Sequence, residues 1–196
     1  MATGLSFDQI YRYGIVVPWL AFLFYWLIAS FKTRTTEKRE TSASRYSTML
    51  LMVFGYYCLF ARTIPIAILH RRFITLTEPV MLLGGVLTWL GVLLAIWARY
   101  HLGENWSARV TIKVGHELIG TGPYSHLRHP IYTGLLLAGL GTAIAVGEVR
   151  GLVGVSFMLI ALIIKGKKEE AMLTAQFGSA FEEHRRHTGF LLPRFR

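Results

Sequence analysis

Ile131 to Gly147 reads IYTGLLLAGLGTAIAVG, and Gly151 to Ile164 reads GLVGVSFMLIALII. Only Glu148, Val149 and Arg150 stand between them. Neither run alternates in polarity, so neither reads as a strand of a membrane barrel. Backbone groups in lipid must pair within their own segment, which makes each run a helix. Two short apolar helices with so brief a connection form a tight hairpin.

Outward from the hairpin lie three more apolar runs: Gly14 to Phe31 with Pro18 near its start, Tyr46 to Leu69 interrupted by Arg62 and Pro65, and Pro79 to Ala98. A hydrocarbon core of about 30 Å takes roughly 20 helical residues to cross. The chain has 196 residues, 53% of them hydrophobic, and a mean hydropathy of +0.44. A soluble domain of this length buries one core and does not need several runs near bilayer length. The expectation is an all-α polytopic membrane protein, a single domain over residues 1–196 with about five transmembrane helices. Three of them lie in 1–98, and 99–196 forms a second, functional half. The first run is long and no small-residue cleavage pattern follows it, so it reads as a retained helix rather than a signal peptide. Gly84, Gly85 and Gly91, and Gly134, Gly139 and Gly141, suit close helix packing.

The formal net charge of +10 is explained by where the charges fall. Sixteen of the 21 Lys and Arg residues lie in the segments after runs one, three and five. Four (Arg12, Arg71, Arg72 and Arg150) lie on the other side, and Arg62 lies inside run two. Positive residues collect on the cytoplasmic side. The N-terminus is therefore expected outside and the C-terminus inside. With topology accounting for the charge and no nucleic-acid-binding motif visible, no nucleic-acid partner is expected. The single cysteine, Cys58, excludes an intramolecular disulfide and a cysteine-based zinc site, and reads as a small buried apolar group.

Two polar stretches flank the hairpin. Gly122-Pro123-Tyr124-Ser125-His126-Leu127-Arg128-His129 precedes it, and Lys165-Gly166-Lys167-Lys168-Glu169-Glu170 follows it. Ionisable groups against a membrane segment are costly, which makes them functional-site candidates. Gly122-Pro123 marks a turn. Helix four is expected to start near Pro130, because the residue before a proline is biased away from helix. Arg128 and His129 then sit at a helix N-terminus, where an anion and its counter-charge can meet. Leu173, Phe177 and Phe181, spaced by four, predict an apolar stripe on a helix along the membrane surface. The residues also admit plainer readings. Lys167 to Glu170 can be a solvated charge run, Tyr124 and Tyr132 interfacial anchors, and Arg62 an arginine snorkelling from the outer end of helix two. His126 and His129 straddle a loop-to-helix boundary, so no metal site is expected.

The run Glu117-Leu118-Ile119, Gly122-Pro123-Tyr124 and Arg128-His129-Pro130-Ile131-Tyr132-Thr133-Gly134 resembles the isoprenylcysteine carboxyl methyltransferases and related phospholipid methyltransferases. Glu169-Glu170-Ala171-Met172-Leu173, Phe177-Gly178 and Leu191-Leu192-Pro193 follow that family's closing pattern, so the resemblance covers roughly Trp106 to Pro193. It implies S-adenosylmethionine as cofactor and an amphiphilic acceptor taken from the bilayer among membrane lipids. It also implies a cytoplasmic cofactor site built from the loop between helices three and four, the short hairpin, and the helical tail. By resemblance, His116, Leu118, Gly122, Pro123, Tyr124, His129 and Tyr132 lie near the cofactor. Arg128 and Glu170, with Glu169 as second choice, lie near the reacting centre. The family often has tyrosines after Phe-Gly, where this chain has Phe181 and His184. The acceptor is left open between an isoprenylcysteine-type carboxylate and a lipid amine. The rival readings are an NADPH-dependent membrane reductase and a non-catalytic membrane scaffold.

Overall fold

The computed structural model describes residues 6–31, 36–39, 42–103, 111–113 and 118–195. Helix α1 is Phe7–Ser30. Its start is closed by a reciprocal cap, Ser6 Oγ accepting from Gln9 N–H and the Gln9 side chain from Ser6 N–H. Pro18 has no N–H to donate, and its ring crowds the carbonyl of Gly14. The residues before it, Arg12–Val16, form a π turn, with Val17 N–H reaching Arg12 O.

Helix α2 is Ser42–Phe60. It ends well before the Leu69 limit of the second apolar run. Pro65 cannot continue it, and Ala67–His70 forms a separate 3-10 turn. Arg62 accordingly lies beyond the helix on an exposed loop, not inside it. Helix α3, Glu78–Leu102, starts with proline in its first turn and stops at Gly103, whose φ is 56°. Helix α4 is Pro130–Val146 and starts where the sequence places it. It ends at Gly147 in the left-handed conformation that helix C-caps favour.

Helix α5 is Val149–Phe177, so the hairpin turn is only Gly147 and Glu148. The fifth apolar run is the first half of this 29-residue helix, and the polar stretch Lys165 to Glu170 continues it without a break. Gly178, with φ 53°, then separates it from α6, Ser179–His187. The stripe Leu173, Phe177, Phe181 is therefore split between two helices, and Phe181 is fully buried rather than laid on a membrane surface. The all-α expectation holds apart from one small addition. Strand β1 (Thr36–Arg39) pairs antiparallel with strand β2 (Thr111–Lys113) in a two-stranded ribbon.

Among the described residues, α1, α3 and α5 are long and apolar enough to cross a membrane. The Tyr46–Phe60 part of α2 and the whole of α4 are shorter apolar helices. Leu20, Leu23, Phe24 and Leu27 of α1 and Leu83, Val86 and Leu90 of α3 face outward. Such continuous apolar exteriors are those of an integral membrane protein.

The core is set by glycine notches. A β-carbon on Gly91 would lie 2.3 Å from Ala138 N, and one on Gly84 2.6 Å from Gly141 O. Gly134 and Gly141 are closed in the same way from the α4 side. Backbones that approach this closely have room for no side chain. Between the two notches Thr88 and Thr142 are fully buried, each back-bonding its own helix at 2.9 Å. Trp19 of α1 donates its indole N–H to Thr142 Oγ1 at 3.0 Å. Gly55 and Gly154 make the corresponding notch between α2 and α5.

Two buried arginines fasten helix ends. Arg99 donates to Gly103 O at 2.7 Å and Ala29 O at 2.6 Å, tying the ends of α3 and α1 together. At the other end of the bundle Arg150 donates to Cys58 O (3.2 Å) and Leu59 O (2.9 Å), carbonyls in the last turn of α2.

Candidate active site

The antiparallel hairpin brings the start of α4 alongside the polar half of α5. His129, just before Pro130, has φ −127° and ψ 60°, outside the helical region as the pre-proline position requires. Its ring turns to α5, where Nδ1 lies 3.5 Å from Glu169 Oε2 and Nε2 lies 3.3 Å from Glu170 Oε1. Arg128 donates from Nε to the same Glu170 Oε1 at 2.5 Å. Tyr132, one turn into α4, stacks on His129 with ring planes 2° apart and donates its hydroxyl to Glu169 Oε1 at 2.6 Å. Lys165 Nζ lies 5.5 Å from the centre of the Tyr132 ring. Five of the residues singled out in the sequence thus form one network of paired ions and hydrogen bonds.

Gly166 makes the space for it. A β-carbon there would meet Phe190 at 2.7 Å and His129 Nε2 at 3.2 Å. Phe190 comes from the C-terminal tail, beyond the last helix, and no local pattern in the sequence singles it out for this position. The tail runs back over the loop before α4, with Arg128 N–H donating to Gly189 O (2.8 Å) and Gly189 N–H to His126 O (3.0 Å). Thr133 Oγ1 donates to Leu191 O at 2.8 Å. The Arg128 guanidinium also donates from Nη1 to the carbonyls of Thr188 and Arg185. Arg128 therefore joins α5 to the tail, and the cluster is roofed by residues almost sixty positions away in the chain.

Gly122, Pro123 and Tyr124 form a neighbouring 3-10 turn, Gly122–Ser125. Gly122 has φ 58°, and a β-carbon there would lie 2.7 Å from His101 Cε1, so only glycine serves. His101 Nε2 in turn lies 2.7 Å from Thr121 Oγ1. Tyr124 is buried in the same core cluster as Tyr132. Leu118 is half-buried on the chain leading into the turn. His116 lies outside the described residues. His126 faces Phe195, with ring centres 5.2 Å apart, while His129 faces the carboxylates, so the two histidines diverge. His184 sits against Gly120, whose β-carbon would lie 3.5 Å from its Nδ1.

Burial shapes the protonation states. It works against charge on the His129 ring, but the Glu169 and Glu170 carboxylates outweigh it and raise the imidazole above its ordinary range. Burial, and then the Arg128 charge, lowers His184 and keeps it neutral. Burial, reinforced by Glu169, raises the Tyr124 phenol, which stays protonated. The cluster thus sets Arg128, and a histidine that holds its proton more tightly than usual, against two carboxylates.

The fold and site define a helical membrane protein with a half-buried ionic cluster at one end of its bundle. Residues 83–175 match the family model of the isoprenylcysteine carboxyl methyltransferase (ICMT) family. The match begins within α3, earlier than the motif resemblance, and stops before Phe177-Gly178 and Leu191-Leu192-Pro193. The chain is similar to a protein-S-isoprenylcysteine O-methyltransferase of Schizosaccharomyces pombe, with 31% identity over 112 residues. That alignment covers 53% of this chain, and spans 45% of the relative's length. The segment carrying α4 and most of α5 is therefore similar to the isoprenylcysteine carboxyl methyltransferase family, as the resemblance implies.

Proposed function

We propose that this protein is a methyltransferase that transfers a methyl group from S-adenosylmethionine to the carboxylate of a membrane-embedded, isoprenylcysteine-type acceptor. The observation that carries the reading is the network of Arg128, His129, Tyr132, Glu169 and Glu170 at the end of apolar, membrane-length helices.

The donor set fits the cofactor. Carboxylates suit a positively charged sulfur, and the rings of Tyr124, His129 and Tyr132 suit a flat purine. Leu118, Gly122 and Pro123 would complete the cofactor's side of the site, with His116. S-adenosylmethionine, when bound, supplies a methyl group on a sulfonium, a leaving group that needs no acid. The chain's own work is alignment and exclusion of water. A carboxylate acceptor is nucleophilic without a base, so a base is not needed where Glu169 and Glu170 are already held as anions by Arg128, Lys165 and His129. Arg128 acts as a positioning residue that fixes Glu170 against the tail. The apolar acceptor enters from the bilayer and the polar cofactor from the cytoplasmic side, with the N-terminus outside.

The test is methyl transfer by the purified protein in vesicles, using methyl-labelled S-adenosylmethionine and an N-acylated prenylcysteine. The expected product is a base-labile methyl ester. Arg128→Lys is expected to lower its rate by roughly 100-fold, because an ammonium cannot meet Glu170 and two tail carbonyls in a fork. Base-stable labelling of a lipid amine would move the acceptor to the amine class. Absence of transfer together with oxidation of NADPH would replace the proposal with a reductase.

A further inference from the structure

A second polar site lies at the opposite end of the bundle. It is a cavity of about 630 Å³, lined by Phe7, Tyr11, Leu76 and Met81 on its apolar side and by Arg62, Arg72 and Arg150 on its charged side. Asp8 and Glu148 also reach it. The volume is that of a small-molecule site. The cavity borders the end of α4 and the start of α5, whereas the ionic cluster borders the start of α4. A helix of 17 residues separates the two ends by about 25 Å.

The charges within the cavity do not cancel. Glu148 is spent, because Arg150 donates to its Oε2 at 2.7 Å and His70 Nδ1 lies 3.2 Å from the same oxygen. Asp8 is held by Arg12 at 3.1 Å. Arg150 in turn is buried and committed to Glu148 and the end of α2. The two arginines left at the mouth, Arg62 and Arg72, are exposed. Arg72 is not on a loose loop. Phe73 N–H donates to Gly147 O at 3.0 Å and Val149 N–H to Arg71 O at 2.9 Å, which holds the Arg71–Phe73 backbone against the hairpin turn. The guanidinium lies beside the turn, with Arg72 Nη1 3.4 Å from where a β-carbon on Gly147 would stand.

We propose that this cavity binds the phosphate of an anionic membrane phospholipid, the two mouth arginines taking the phosphate and the Phe7, Tyr11, Leu76, Met81 wall taking the first part of an acyl chain. Guanidinium groups meet phosphate oxygens in a fork, and a rim of cations beside an apolar wall matches a ligand with both parts. A free phosphate shares only the first of these. The site is separate from the methyl-transfer centre and does not depend on that reading.

The test is calorimetric titration of the full-length protein, purified in a non-ionic detergent, with dihexanoyl phosphatidylglycerol, dihexanoyl phosphatidylcholine and inorganic phosphate. Phosphatidylglycerol is expected to bind saturably and at least about tenfold more tightly than the other two. The double variant Arg62→Gln, Arg72→Gln is expected to weaken phosphatidylglycerol by about tenfold or more while its circular dichroism and melting midpoint stay unchanged. A second variant, Leu76→Gln, is expected to weaken phosphatidylglycerol without changing the response to phosphate. Equal binding of phosphatidylcholine, or full binding by the double variant, overturns the arginine assignment. Phosphate binding as tightly as the lipid overturns the lipid assignment, and absence of saturable binding by any probe overturns the site.

Discussion

His129 shows how a single side chain records its surroundings. The imidazole is buried and faces two carboxylates, Glu169 at 3.5 Å and Glu170 at 3.3 Å. Its proton is held more tightly in the folded protein than in the unfolded chain, where the ring titrates near its ordinary value of about 6.5. The sign follows from linkage. The stabilisation is fully present below the unfolded value and is lost as pH rises through the raised folded value. The melting midpoint of the detergent-solubilised protein should therefore fall as pH rises from about 6 into the alkaline range, where the surface carboxylates no longer titrate. His129→Gln should flatten that slope, and an identical slope in the variant would remove His129 as its source. The sequence showed this residue clearly, because a histidine before a proline at the mouth of an apolar run is costly to keep. It did not show Gly166, whose missing side chain makes room for the ring.

At the scale of elements, the same contrast recurs between local and distant signals. The apolar runs identify every long helix, and Pro130 fixes the start of α4, since proline constrains its own neighbours. Helix ends set by partners elsewhere were not legible. The second apolar run outlasts its helix because Pro65 is followed by more apolar residues, and the fifth falls short of its helix because Lys165 to Glu170 is polar although helical. Charged residues are good helix formers, so polarity alone marks no helix end. The glycines of α3 and α4 are packing positions, and their geometry gives a sharp prediction. Gly91→Ala puts a methyl group 2.3 Å from Ala138 N, against backbone that cannot turn aside. It should destabilise the fold by about 1–3 kcal/mol, measured as loss of thermal midpoint or denaturant resistance, without altering the ionic cluster directly. Wild-type stability in this variant would mean that α3 and α4 pack less closely than described.

At the scale of the whole molecule, the largest surprise is the tail. Thr188 to Arg194 folds back on residues 126–133 through backbone hydrogen bonds and Thr133 Oγ1. Pairing between segments about sixty residues apart leaves no periodic trace in either, so only the family's Leu-Leu-Pro pattern hinted at it. Deleting residues 189–196 removes Phe190 from the His129 ring and the Gly189 carbonyl from Arg128 N–H. The truncated protein should still insert and show native helical content, yet lose methyl transfer by at least about tenfold, as judged by the labelled-ester assay. Full activity after truncation would make the tail a bystander.

Helix α5 has a consequence of its own. It is one unbroken rod from Val149 to Phe177, with Arg150 fastened at one end and Glu169 and Glu170 near the other. Twenty residues separate Arg150 from Glu170, which is about 30 Å of helix and close to the thickness of a hydrocarbon core. The molecule thus carries a calliper whose jaws are its two ionic ends. A thicker bilayer would draw one jaw into oil, and a thinner one would have to be met by tilt. The depth at which the carboxylates stand is consequently a property of the membrane as much as of the chain.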